Sequence, residues 1–186
     1  GAGLTISGPT VSASTTGSGS DAVRVNQGSF TMTGGKLTAI AAGAGANGIT
    51  AEENIAISGT VEVTASGYCG LFAVGDINIS GGTVDAAGTG SSNPRAIVAS
   101  GALNISGGSV TAGSASNTAI TATGGVTVGD ATLAVGETGE SKGVWGNLTV
   151  NHANANVAVN GYVSTTSYGG DDGNLTVSAG TVKVTG

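Results

Sequence analysis

The sequence predicts an all-β fold: a single-stranded, right-handed parallel β-helix of about seven to eight turns, roughly 24 residues per turn, with three short strands in each. Three observations predict it. First, "INISGGTVDA" from Ile77 returns as "LNISGGSVTA" from Leu103, 26 positions later, with weaker copies on either side. Second, each copy alternates apolar and polar residues with period two, which is a strand signal, and no stretch carries a helical period. Third, glycine makes up 36 of the 186 residues and charged residues only 9%. Ordinary domains have about 7% glycine and about 25% charge. A chain so poor in charge and so rich in small residues suits a narrow, regularly stacked interior.

The first strand of each unit starts at Leu4, Phe30, Ile55, Ile77, Leu103, Val126, Leu148 and Leu175, at intervals of 22 to 27 residues. The second starts at Val11, Leu37, Val61, Val84, Val110, Leu133, Val157 and Val182. The third is "AVRV" from Ala22, "GITA" from Gly48, "GLFA" from Gly70, "AIVA" from Ala96, "AITA" from Ala119 and "GVWG" from Gly143. The seventh unit offers no clear third strand. Between the first and second strands lies a small-residue corner: Thr33–Gly35, Ser80–Gly82 and Ser106–Gly108. The glycine pair supplies positive φ and the absence of a side chain where one would clash. A unit repeats because one turn cannot bury its own apolar face and its neighbours must do so.

A β-sandwich does not call for such a period, and propeller blades are longer, about 40 to 50 residues. The whole chain, 1–186, reads as one β-helix domain. It opens within a repeat, which predicts a fragment or processed form of a longer secreted protein. The open ends of such a helix need caps or end-to-end association of chains.

Several function classes fit poorly. The net charge is −6 with five Lys and Arg residues, against the basic surface that nucleic acid requires. No apolar run is long enough for a membrane-spanning helix. Cys69 is the single cysteine and has no disulfide partner. No zinc set, phosphate loop or nucleophile elbow occurs; "GAGANG" from Gly43 does not open a helix. His152 has no evident acid or nucleophile partner. Arg24, Lys36, Arg95, Lys142 and Lys183 are scattered over the repeat. An enzyme is therefore not expected.

The pattern "ISGGTVDA…AIVA" resembles the carbohydrate-binding-domain proteins of clostridial and related Gram-positive surfaces. The resemblance covers Leu4 to Val135 and weakens after Val144. It implies a right-handed β-helix shaped like the polysaccharide lyases, acting as a binding module on plant-type polysaccharide, on the cell surface or secreted, with calcium as a candidate ion. Similar Gly-Thr-Val repeats occur in adhesins and autotransporter passengers, so a structural stalk without its own ligand site is the other expectation.

Stacking turns the repeat into columns of outward residues. The first strand gives Thr5, Thr31, Ala56, Asn78, Asn104, Thr127, Thr149 and Thr176, a polar ladder interrupted as an ice-binding array would not be. The second places Glu62 beside Asp85 on adjacent turns; such carboxylates repel unless a cation such as calcium lies between them, or they splay into solvent. The third gives Arg24, Thr50, Phe72, Val98, Thr121 and Trp145. Outward Phe72 and Trp145, with Tyr68 in the preceding loop, suit stacking on sugar rings; a corner loop folding over the column is the competing expectation. The segment "NGYVSTTSYGGDDG" adds Tyr162, Tyr168, Asp171 and Asp172, the aspartates as further calcium ligands or simply as loop residues. Asn78, Asn104, Asn147 and Asn174 match the N-glycosylation pattern, but strand starts repeated by the fold explain them better.

Overall fold

Alternation within each repeat decides which side chains turn inward, and stacking of equivalent residues decides what they meet. The result, in a computed structural model describing residues 2–90, 92–116, 118–136, 143–161, 163–164 and 174–185, is an all-β parallel solenoid of about seven windings. Among the described residues there is no helix, and so none long and apolar enough to cross a membrane.

Long strands form one eight-stranded parallel sheet: β1 (Leu4–Thr15), β3 (Phe30–Ala41), β5 (Ile55–Gly67), β7 (Ile77–Gly88), β9 (Leu103–Ser114), β11 (Val126–Val135), β13 (Leu148–Asn160) and β15 (Leu175–Thr185). Short strands form a second sheet of seven: β2 (Val23–Val25), β4 (Ile49–Ala51), β6 (Cys69–Ala73), β8 (Arg95–Ala99), β10 (Ile120–Ala122), β12 (Val144–Trp145) and β14 (Val163–Ser164). Each strand pairs with its equivalent one winding away. The first and second predicted stretches run on as one long strand, and the register slips at the small-residue corner between them in most windings. The seventh unit does contain a short strand, β14, which its two-residue length hides in the sequence.

The interior is four columns from the long strands and two from the short ones. Ile57, Ile79 and Ile105 stack in register and are each 0–1% exposed. Burying a side chain of this size is worth about 1.5–3 kcal/mol, and the column recurs winding after winding. Alanines fill the narrower part: Ala39, Ala65, Ala86 and Ala112 form one buried column.

At the corner, the second glycine of each pair takes the left-handed conformation, with φ of 89° at Gly35, 78° at Gly82 and 85° at Gly108. A Cβ on Gly108 would lie 2.5 Å from the Gly82 carbonyl oxygen. The glycines are therefore demanded twice, by φ and by the winding beneath.

One register expectation is corrected. Leu37 and Val84 pair with Val63, not with Val61. Strand β5 carries one extra residue relative to β7 between Ile57 and Glu62, and Val61 is buried at that bulge. The end of the strand dictates this choice. Gly67 must fall beside Gly88, because a Cβ on Gly88 would lie 2.5–2.6 Å from Arg95 backbone atoms and one on Gly67 would lie 2.6 Å from the Ala46 carbonyl oxygen. Counting back from that glycine places Ala65 on Ala86 and Val63 on Val84.

A second device joins the windings just before each long strand. The Ser29 hydroxyl accepts the Asn54 N–H, the Asn54 Oδ1 accepts the Asp76 N–H at 2.8 Å, and the Asp76 Oδ1 accepts the Ala102 N–H at 2.8 Å. Asn147 does the same for the Asn174 N–H at 2.7 Å. The side-chain oxygen caps a backbone donor that the corner would otherwise leave unpaired.

Candidate functional site

The short-strand sheet carries the outward aromatic column in the expected register: Arg24, Thr50, Phe72, Val98, Thr121, Trp145. Phe72 and Trp145 are partly exposed, three windings apart, or about 14 Å at one strand spacing per winding. Between them Val98 is buried and Thr121 is partly buried. The middle of the column is thus covered, while its aromatic members keep some open surface. Tyr68 is partly buried one residue ahead of β6, and its carbonyl accepts the Arg95 N–H at 2.9 Å. Cys69, Gly70 and Leu71 separate it from Phe72 along the chain.

Polar residues at the start of this column are committed to the fold. Arg24 reaches Asp21 at 3.1 Å, Glu52 at 2.9 Å and the Asn26 Oδ1 at 2.8 Å. Asp21 also accepts the Asn47 N–H at 2.7 Å, and the Asn47 Oδ1 accepts the Cys69 N–H at 3.0 Å. The Asn47 amide in turn donates to the Thr50 hydroxyl, which is why Thr50 is buried here. Cys69 ends this hydrogen-bonded chain. Burial pushes its thiol up to about 11, against a lowering by the Arg95 charge, so it is a neutral, unreactive group at neutral pH.

Beyond Cys69 the corner holds polar atoms without partners: the Arg95 Nε, the Thr118 Oγ1 and the Thr121 Oγ1. Thr118 is fully buried. An unpaired buried hydroxyl costs about 1–3 kcal/mol. Thr118→Val, which keeps the shape and removes the hydroxyl, is expected to raise stability by about 1 kcal/mol, or about 2–4 °C in Tm. A fall in Tm in a thermal melt would show instead that an ordered water satisfies the hydroxyl.

The carboxylates lie on the other sheet. Glu62 stands opposite Lys36 and Thr83, and Asp85 stands opposite Thr64 and Thr111. The expectation that Glu62 and Asp85 face each other on adjacent turns is thus corrected: the β5 bulge sets them two positions out of register. Glu62 pairs with Lys36 at 2.5 Å. Both groups are about half exposed, so the pair contributes about 0–1 kcal/mol. Both acids nonetheless line one open groove of about 560 Å³ with Lys36, Thr60, Thr64 and Thr83. Val61 at the bulge also lines this groove, which could not be read without knowing the register.

Among the described residues, no group of three or more His, Cys, Asp or Glu side chains converges to hold a metal ion. Asp171, Asp172, Tyr162 and Tyr168 lie outside the described residues. His152 does have an acid nearby, correcting the sequence reading: its Nδ1 is 3.7 Å from Asp130 and accepts the Asn154 N–H at 3.3 Å. His152 and Asp130 are both exposed. The polar ladder of the first strand stacks as expected, and the Asn104 amide donates to the Asn78 Oδ1 at 3.0 Å. Asn78 and Asn104 thus have structural work within the ladder, and Asn147 in capping the Asn174 N–H.

The aromatic strip and the acidic groove belong to different sheets, so the sequence candidates form two surfaces and not one site. No protein-family model, curated protein or solved structure matches the chain.

Proposed function

We propose that this chain is a non-catalytic, extracellular polysaccharide-binding module of a bacterial surface or secreted protein, built as a right-handed, three-faced helix with turns of about 24 residues. The observation that carries the reading is the partly open column Phe72–Val98–Thr121–Trp145, with an aromatic side chain at either end. Two aromatic faces separated by about three strand spacings suit an extended chain of sugar rings lying along the solenoid axis. Tyr68 flanks the strip. The groove with Glu62, Asp85 and three threonines supplies hydrogen-bond acceptors on the neighbouring sheet, and is where a calcium ion would find hard oxygen ligands. The likeness of the "ISGG" repeat to clostridial carbohydrate-binding-domain proteins points the same way, toward plant cell wall polysaccharide.

Trp145→Ala is expected to weaken retention on immobilised polysaccharide by tenfold or more while leaving the far-UV circular dichroism unchanged, since loss of one stacking aromatic at a contact centre costs roughly 1–3 kcal/mol. Equal retention of variant and parent on a glycan array would discard the strip as the contact. Repeating the array with EDTA tests the calcium.

The second reading is a stalk or adhesin repeat with no ligand site of its own. It is favoured by the regular winding-to-winding ladder. Complete silence on the array favours it.

A further inference from the structure

On the outward face of the long-strand sheet, four side chains form a block. Glu62 and Thr64 lie on β5, and Thr83 and Asp85 lie on β7. The valines between them, Val63 and Val84, are buried, so these four turn outward. Glu62 stands beside Thr83, and Thr64 stands beside Asp85. The acids therefore occupy one diagonal and the threonines the other. One strand spacing across and two residues along set the acids about 8 Å apart at the backbone. Side by side, as the repeat alone suggests, their carboxylates would repel. On the diagonal they are spaced so that both can accept from one small cation between them.

The charges around the block are unequal. Lys36, on β3, holds the Glu62 Oε1. That leaves Oε2 of Glu62, and Asp85 makes no ion pair among the described residues. With Thr60, these side chains line the groove of about 560 Å³, inside the range of about 300–1,000 Å³ for small-ligand sites. One positive and two negative side chains give the groove a single net negative charge.

The geometry points to a binding site for a protonated amino sugar in this groove, separate from the aromatic strip on the other sheet. The sugar's ammonium donates to Asp85 and to the Glu62 Oε2, as charge-assisted hydrogen bonds of about 2.7–2.9 Å. Its ring hydroxyls meet Thr60, Thr64 and Thr83, whose own hydroxyls can both donate and accept. One ammonium cancels the charge of the groove. A calcium ion suits it less, since calcium takes about six to eight oxygen ligands and brings one charge too many beside the Lys36 ammonium. A lysine side chain of a peptide supplies the charge but offers the threonines no hydroxyls. The inference goes beyond the plant-polysaccharide reading and does not depend on it.

The test is calorimetric titration of the 186-residue chain at low salt with a short glucosamine oligomer. Saturable binding is expected. The N-acetylated oligomer, which keeps the rings and lacks the charge, is expected to bind at least tenfold more weakly, and so is a lysine oligomer of equal charge. Asp85→Asn should weaken the glucosamine oligomer at least tenfold, the loss of one charged hydrogen bond. Lys36→Gln, which removes the competing cation, should tighten it severalfold. Trp145→Ala should bind it as the parent does. Asp85 and Lys36 are exposed, so both variants should keep the parent's circular dichroism; the comparison of the oligomers needs no substitution and stands whatever the variants do. No binding of the glucosamine oligomer overturns the inference, as does equal binding of its acetylated form. Equal binding of the lysine oligomer overturns the sugar, and a loss in Trp145→Ala overturns the separation from the strip.

Discussion

Phe30→Ala should cost about 3–5 kcal/mol, the range for emptying a fully buried aromatic site. Phe30 is 0% exposed and is the one aromatic side chain in the buried core of the described residues. It stacks between Leu4 and Ile55 in the first interior column. Its neighbours are held by backbone ladders on both sides, so the column can collapse only slightly into the space. The loss has a direction as well as a size. In a solenoid each winding is stabilised by the one beside it, and among the described residues β1 pairs with β3 alone. The cavity therefore loosens the first winding before the rest. Urea unfolding followed by circular dichroism should show a lowered midpoint, and hydrogen exchange should show β1 amides losing protection first. A cost under about 1 kcal/mol would mean that the first column is not packed as described.

Gly108→Ala should cost at least about 2 kcal/mol, although it adds a single methyl group. The backbone there has φ of 85°, which costs an L-residue roughly 1–2 kcal/mol on its own. The new Cβ would also sit 2.5 Å from the Gly82 oxygen and 2.8 Å from the Gly81 carbonyl carbon. Backbone atoms of a stacked winding cannot swing aside as a flexible side chain would. Gly8→Ala is the control. A Cβ at Gly8 meets nothing within 4 Å, and its φ lies outside the left-handed region. It should be neutral or stabilising by about 0.4–1 kcal/mol through the unfolded chain. Equal melting temperatures for the two variants would remove the corner glycine from any role in setting the turn.

The contrast between these two glycines shows how much of the molecule can be read in one dimension. The repeated Gly-Gly marks corners, and the alternation marks inward residues, because each is a local demand of one winding on itself. The first-strand starts from Leu4 to Leu175 and the short strands from "AVRV" to "GVWG" were readable for this reason. The candidate site was less readable. Glu62 and Asp85 look adjacent when "ISGTVE" is laid on "ISGGTVD", yet they stand two positions apart in register. Nothing within either segment says which of Val61 and Val63 faces Val84; the close approach of Gly67 to the Ala46 backbone, and of Gly88 to the Arg95 backbone, decides it.

Sequence alone therefore determined the architecture, the inward columns and the outward aromatic strand. Tertiary structure decided the bulge in β5, the groove beside it and the half-covered state of the Phe72–Trp145 strip. The physical reason is range. Period and φ are set by neighbours along the chain, whereas register and exposure are set by backbone atoms a full winding away, whose positions no single repeat encodes.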